Sequence, residues 1–565
     1  MRLLISVVLY ITALGLTLLG IAQQTVWAPD DSKPVTITLE NPNPLLVISQ
    51  EVLQKKVGQP VVTVSGPGKV YVATGRQSDI EAWVGGSSST SITLDATGKK
   101  LTSNSVDGSE ASANPNGSDL WRTERSATNK VSMRVATENE NAVIIASDGL
   151  TSAPNTVSIE WINEFDRGPS NILIFSGFGL MLATVVYNFL VFRSIRNARR
   201  PRRKLPKAPQ GPRSRRTKRT SSLPPRGRRA AGRNFLIAPT ALILVSLVGG
   251  CTSAPPESTT EPTSEAEVIG QPAALELGQI RRIVTSVAKV AKLADEGNST
   301  SQLLPRFAGP ALAMRDAAYT LIKKSKKAPK LEPIYASPLT LSLPAATNTW
   351  PRSLMVATGA EEGRAPLMLV LRQDSPRKQY QVWYVATLAS GVKLPDMPAT
   401  ADGSVPVLPD SAYLELAPQL LPEAYGSVID GGPASNYFGN FELQNDTFYS
   451  SISEEQKKQV ATLTKAKLTY QHVLADPQPI GLATADGGAL VAVYMHDITT
   501  IKPKRSNSGI TVNELQQVAL GAKGSIKGIV STYGDMLLFY VPSVGQDSKI
   551  RLLGWQTGLL KVKSL

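Results

Sequence analysis

Apolar residues in this chain follow three patterns: unbroken runs, alternation, and helical spacing. The first unbroken run, Leu3–Ala22, comes after Met-Arg and meets no charge until Asp30. It is about 20 residues long, enough to cross a bilayer core of about 30 Å. Residues 1–22 are predicted to be a transmembrane signal anchor; Gly20-Ile21-Ala22 also fits a signal-peptidase site, and either outcome exports the chain beyond it. A second run, Ile172–Phe192, predicts another span. Gly177 and Gly179 suit close helix packing there, and Asn188 is placed as a polar anchor near its basic end. A third run, Phe235–Gly250, contains Pro239 and is short for a span, but it matches the apolar centre of a signal sequence.

Alternation dominates residues 30–165. Val35–Leu39, Pro60–Ser65, Lys69–Thr74, Ser91–Leu94, Val131–Ala136, Val143–Ala146 and Thr156–Trp161 read as strands. Gly66-Pro67-Gly68 reads as a hairpin turn, Asp148-Gly149 as another turn, and 102–119 as a mobile loop. The spacing predicts an exported all-β sandwich. Helical spacing appears at Leu275–Glu296, through Leu277, Ile280, Ile283, Val284, Val287 and Val290, with Gly297-Asn298 as the stop, and again at Pro310–Lys324. Strand-like runs come next, at Leu339–Leu343, Leu354–Thr358, Leu367–Arg372 and Gln379–Leu388. The order repeats after residue 411: helices at Ala412–Ala424 and Ser453–Lys467, then strands at Thr469–Ala475, Ala489–Tyr494, Ile526–Thr532, Met536–Val541 and Ile550–Trp555. The expectation is an exported α+β region of two tandem units, 273–400 and 411–565. This order is similar to nuclear-transport-factor-like cone folds, an analogy of architecture that carries no function.

Charge changes the picture at one place. Arg193–Arg233 holds 17 Lys and Arg, six prolines and no acid, whereas the whole chain of 565 residues has a net charge of +15. The rest is therefore close to neutral, which argues against nucleic acid as the main partner. A disordered basic linker between apolar runs stays on the cytoplasmic side. Arg199, Arg200, Arg202, Arg203, Arg215, Arg216, Arg228 and Arg229 are the expected topology determinants, with anionic lipid head groups as their surface partner. Both large regions then lie outside the cell membrane.

The chain has one cysteine, Cys251, and two histidines, His472 and His496. An intramolecular disulfide and a cysteine metal cluster are excluded. Val248-Gly249-Gly250-Cys251, preceded by Arg228, Arg229 and Arg233, resembles a bacterial lipoprotein signal, which implies diacylglycerol on Cys251 and a cut before it. The pattern departs from that signal in having Val248 where leucine is usual, and in being internal. A free thiol closing a third span at 235–251 stands as the alternative. Residues 252–272, rich in Ser, Thr, Pro and Glu, read as a tether.

Three stretches carry a wider resemblance: Gly75–Trp83 (GRQSDIEAW), Ser118–Trp121 (SDLW) and Ile144–Gly149 (IIASDG). With them the chain resembles uncharacterised actinobacterial envelope proteins, and its C-terminal part resembles a lipoprotein domain of unknown function.

Candidate chemistry is sparse. His496-Asp497 is the foremost acid–base pair, placed where strand Ala489–Tyr494 gives way to a loop. His472 lies in a strand, without carboxylates to complete a metal site. Asp79 and Glu81 would share one face of a strand, as paired carboxylates do in glycan cleavage; a solvated face is the plainer use. Arg76, Asp79 and Trp83 could form a corner, with Trp83 and Trp121 in the core. Glu454-Glu455 with Lys457-Lys458 marks a helix surface. No nucleotide loop, zinc-protease helix or nucleophile elbow occurs. The expectation is a non-enzymatic, cofactor-free, membrane-anchored envelope protein that binds another envelope protein or cell-wall glycan. The alternatives are a pocketed carrier of a lipid or small apolar ligand, or an enzyme acting on envelope glycan.

Overall fold

A computed structural model describes residues 2–27, 33–137, 140–162, 168–198, 271–359, 364–476, 478–505 and 508–565. Arg199, Arg200, Arg202, Arg203, Arg215, Arg216, Arg228 and Arg229, the 235–251 segment with Cys251, and the tether up to residue 270 lie outside these. The described residues divide into two compact units: a helix pair, and everything else.

In chain order, helix α1 (Arg2–Thr25) precedes a β-region of β1 (Val35–Thr38), β2 (Leu45–Ile48), α2 (Gln50–Gln54), β3 (Gln59–Arg76), α3 (Gln77–Val84), β4 (Ser89–Leu94), β5 (Leu101–Val106), β6 (Thr123–Arg134), β7 (Asn141–Ala146) and β8 (Thr156–Ile162). Helix α4 (Gly168–Ala198) comes next. The C-terminal region holds α5 (Leu277–Gly297), α6 (Thr300–Leu303), α7 (Gly309–Lys324), β9 (Leu339–Pro344), β10 (Arg352–Thr358), β11 (Leu367–Gln373), β12 (Gln381–Leu388), β13 (Pro406–Val407), α8 (Leu421–Gly431) and α9 (Thr447–Thr462). It continues with β14 (Ala466–Leu474), β15 (Ile480–Ala483), β16 (Ala489–Pro503), β17 (Ile510–Thr511), α10 (Glu514–Leu520), β18 (Gly524–Ser525), β19 (Ile529–Val541) and β20 (Arg551–Ser564).

Helices α1 and α4 form the pair, and both are long and apolar enough to cross a membrane. They pack along their length. Gly177 lies against Ala13 and Thr17, and Gly20 against Ser170 and Ile174, so closely that added Cβ atoms would collide; Gly179 faces open space. Asn188 is more than an interface anchor: Ser6 Oγ donates to its Oδ1 at 2.9 Å. Helix α4 continues to Ala198, so the first six residues of the expected disordered linker are helical. The first proline that opposes a helix is Pro201.

The β-region is one eight-stranded sheet, of order β1-β8-β3-β7-β2-β4-β5 with β6 also paired to β3. The expected hairpin at Gly66-Pro67-Gly68 does not form. Both runs belong to β3, and the three residues make a bulge opposite β6 between Ser65 and Lys69, with Gly68 at φ 81°. The long strand pairs β8 with its first half and β7 with its second. The strands expected to build a sandwich thus all belong to one hydrogen-bonded sheet, and Val62, Val64, Val72, Val143, Ile145, Val157 and Ile159 form its core. Residues 102–106 belong to β5 rather than to a mobile loop; they pair with the polar alternation of β4. The opposite face of β3 and β7, with Tyr71, Ala73, Ile144 and Ala146, is covered by Trp83 and Trp121.

The C-terminal region shows helices before strands twice, but the strands do not form two units. Nine lie in the order β13-β15-β16-β19-β20-β12-β11-β10-β9, with β14 on β16, in one ten-stranded sheet. The seam is short: Thr387 pairs Trp555 and Leu388 pairs Gly554. One core draws on both stretches, from Ile283, Leu354 and Tyr384 to Tyr494 and Leu538. Helix α5 forms as its spacing predicts. Glu276 and Gln279 make a reciprocal capping box, and Asn298 ends it in the left-handed conformation. Helix α8 starts at Leu421, not at Ala412, with Pro422 in its first turn. Helix α9 ends at Thr462, so Ala466 and Lys467 begin a strand.

Candidate functional site: a buried arginine–aspartate interface

Strand β3 ends at Arg76, and α3 begins at once, so Asp79 falls three residues on and within reach of the Arg76 side chain. The Arg76 guanidinium grips it with both prongs, Nε to Oδ2 at 3.0 Å and Nη2 to Oδ1 at 3.0 Å. A second cation comes from the far region: Arg352, first residue of β10, places Nη1 2.7 Å from Asp79 Oδ1. Arg352 is 0% exposed, stacks 3.6 Å from the Trp350 ring centroid and donates to Asn348 O at 3.2 Å. Burial lowers its pKa, and Asp79 opposes that shift; a guanidinium remains charged at any physiological pH.

Asp119 makes the second pair. Arg306, between α6 and α7, donates Nη1 to Asp119 Oδ2 at 2.6 Å and Nη2 to Oδ1 at 3.0 Å. The amide of Tyr380 donates to the same Oδ2 at 2.7 Å, and Ser286 Oγ accepts from Arg306 Nε at 2.9 Å. Around these pairs the C-terminal region donates to main-chain carbonyls of the β-region. Gln279 Nε2 reaches Asp119 O at 3.1 Å and Leu120 O at 3.0 Å, and Arg282 donates to Trp121 O. Arg377 donates to Trp83 O and Val84 O, both at 2.8 Å, and to Ala111 O at 3.1 Å. Arg122 returns a pair in the other direction, 2.9 Å from Glu276.

The three stretches Gly75–Trp83, Ser118–Trp121 and Ile144–Gly149 therefore converge. Trp83, Trp121 and Ile144 share one apolar cluster, to which the far region contributes Trp350, and the two tryptophan rings lie 5.7 Å apart. Of the expected corner, Arg76 and Asp79 pair, and Trp83 lies in the apolar cluster. The paired-carboxylate idea fails: residues 77–84 are helix, so Asp79 points inward, whereas Glu81 is exposed and accepts from Gln77. Chemically the arrangement is a clamp. Asp79 is held by two guanidiniums, and Asp119 by one guanidinium and the Tyr380 amide, so both carboxylates are committed to structural contacts. Arg306, Arg352 and Arg377 carry little signal in the sequence, because a single arginine beside a strand looks like ordinary surface. Trp350-Pro351-Arg352 ahead of an apolar run is the one available sign.

His496 and Asp497 lie inside β16, which runs on to Pro503, not at a strand end. They face opposite ways. The half-buried His496 ring meets Tyr494, and burial lowers its pKa. Asp497 instead faces His472 across the β14–β16 ladder. His472 Nδ1 is 2.7 Å from Asp430 Oδ1, and its Nε2 is 3.8 Å from Asp497 Oδ1. The carboxylates that sequence did not locate are thus Asp430, Asp497 and the nearby Asp535; among the described residues no such group is placed to hold a metal.

A cavity of about 310 Å³ lies between α7 and the sheet, lined by Ala311, Met314, Ala318, Leu321, Val385, Met536 and Leu559, with Arg315, Lys330 and Glu332 at hand. Neither His496 nor Asp79 lines it.

Among known proteins, a family described as "Domain of unknown function (DUF8094)" matches residues 272–564. An uncharacterised lipoprotein of Streptomyces avermitilis is 27% identical over 346 residues, covering 60% of this chain and 97% of its own length. An uncharacterised lipoprotein of Streptomyces coelicolor is 27% identical over 296 residues, covering 50% of this chain and 82% of its own. No solved structure matches.

Proposed function

We propose that this chain, which belongs to the DUF8094 family, is a membrane-anchored, non-enzymatic cell-envelope protein that works by binding another envelope protein or cell-wall glycan. The observation that carries this reading is where the buried charges go. Asp79, Asp119, Arg306 and Arg352 are spent on holding two regions to each other, the use expected of a scaffold. Helices α1 and α4 are its spans, the basic linker stays cytoplasmic and meets anionic head groups, and both large regions face outward.

Cys251 is the lipid attachment point, and the chain is cut before it. In support, both relatives are named lipoproteins, and a match covering 60% of this chain takes in Cys251 wherever it starts. The test is the mass of the mature C-terminal product, together with protease added to intact cells. The expected result is a product that begins at diacylated Cys251, with both large regions digested from outside. An uncut chain of 60.4 kDa refutes the lipid reading, and protection of both regions refutes the orientation.

The cavity under α7 favours a second reading, a carrier of an apolar ligand. Its volume suits a short acyl chain or similar group. Native mass spectrometry of protein extracted from its own membranes, compared with Ala318→Trp, decides this: a bound lipid lost in the variant supports it, and an empty wild-type protein rejects it.

A further inference from the structure

We infer that the surface carrying Gln279, Arg282, Arg306, Arg352 and Arg377 is a docking surface that holds the β-region without a covalent link, so that the chain works as a complex of two pieces. The partner it fits is a β-domain offering one carboxylate at a helix start, Asp79, another at a loop end, Asp119, and main-chain carbonyls between them. That the pieces become separate in the cell rests on the proposed cut before Cys251; the docking itself does not.

Three observations carry the inference. Each region has its own apolar core, one around Val62, Val72 and Ile145 and one around Ile283, Leu354 and Tyr494, so each side can fold around its own interior. No β-ladder joins them among the described residues: the eight-stranded and ten-stranded sheets are separate. What crosses between them is the chemistry of a docked interface: most donors lie on the C-terminal region and most acceptors on the β-region, Arg122 to Glu276 and Arg76 to Ala273 O run the other way, and a single tryptophan, Trp350, enters the β-region's apolar cluster. The pairs are well shielded. The side chains of Arg352 and Asp79 are 0% and 1% exposed, and those of Arg306 and Asp119 6% each, so salt screens them little. Occurrence apart also fits: the Streptomyces avermitilis lipoprotein is spent, over 97% of its length, on 60% of this chain, a stretch too short to hold both whole regions.

The test cuts the whole chain at a chosen place. In a Cys251→Ser background, which keeps the chain whole, a recognition site for a sequence-specific protease replaces residues within 256–266, the full protein is purified in detergent through an N-terminal tag, and it is digested to completion. The C-terminal piece is expected to stay on the resin through a wash of about 0.5 M salt, which screens exposed charge pairs. Arg306→Ala with Arg352→Ala is expected to lower the retained fraction at least about tenfold. Arg306→Asp with Asp119→Arg should retain more than either single change. If the double alanine variant does not fold, judged by circular dichroism of the cut piece, Arg377→Ala is the second probe, since its side chain is 28% exposed and it packs at the rim. Wild-type pieces that part on cutting overturn the inference, and so do folded variants that hold as tightly as wild type. Failure of native cleavage at Cys251 overturns only the lipid-attachment proposal and leaves docking intact.

Discussion

Asp535 is an acid stored inside the sheet, 1% exposed. Burial pushes its carboxyl up to about 7, the nearby Asp497 charge adds to this, and the Thr557 hydroxyl and His472 oppose it. Burial also raises Asp497. For His472, burial lowers the pKa, but the hydrogen bond to Asp430 and the charges of Asp497, Asp430 and Asp535 outweigh it, and the net shift is upward. All three groups hold protons in the folded state that the unfolded chain gives up. For Asp535, stability is full below its ordinary value of 3.8 and is lost as pH rises to about 7. For His472 it is full below 6.5 and lost as pH climbs through the higher folded value. Asp535→Asn removes the largest of these losses. Its thermal midpoint should exceed wild type at about pH 8, by roughly 2–4 kcal/mol of stability, and match it more closely at about pH 5. A constant difference across that range would show that Asp535 does not titrate. Residue chemistry of this kind is only partly legible in the sequence. The Arg76–Asp79 pair can be read from three-residue spacing, because the partners are local. His472 with Asp497 cannot, because ladder register sets which residues face each other.

At the scale of elements, sequence is clearest where one periodicity runs unopposed. Helix α7 (Gly309–Lys324) and strands β10–β12 fall within a few residues of their expected limits. The sequence pattern stops strand β16 at Tyr494 and leaves His496 and Asp497 where it gives way to a loop. The strand continues because β14 and β19 flank it and saturate its backbone on both edges. The Gly66-Pro67-Gly68 turn misleads for the same reason: β6 spans the bulge and keeps β3 continuous. The helix pair makes its own prediction. Gly177 gives α1 room at Ala13 and Thr17, so Gly177→Ile forces the helices apart. In a Cys251→Ser background, the disulfide yield of Ser6→Cys with Asn188→Cys, which lie in hydrogen-bonding contact, should fall at least about threefold in membranes. An unchanged yield would mean that the helices accommodate the side chain.

For the whole molecule, the order of regions is legible from composition: an apolar helix, a β-region, a second apolar helix, a basic run, then helices and strands. Two global facts are not. The stretches 273–400 and 411–565 share one sheet, because Thr387 and Leu388 find Trp555 and Gly554 more than 160 residues away. The β-region meets the C-terminal region through Arg306 and Arg352, whose partners lie nearly 190 and more than 270 residues earlier. Pairings at such separation leave no local trace. Much of this contact reads backbone: Gln279, Arg282 and Arg377 address the carbonyls of residues 83, 84, 111 and 119–121. Every amino acid carries that oxygen. The grip therefore recognises the path of a loop more than its spelling, and the two halves can drift apart in sequence for as long as Asp79, Asp119 and the course of the chain between them are kept.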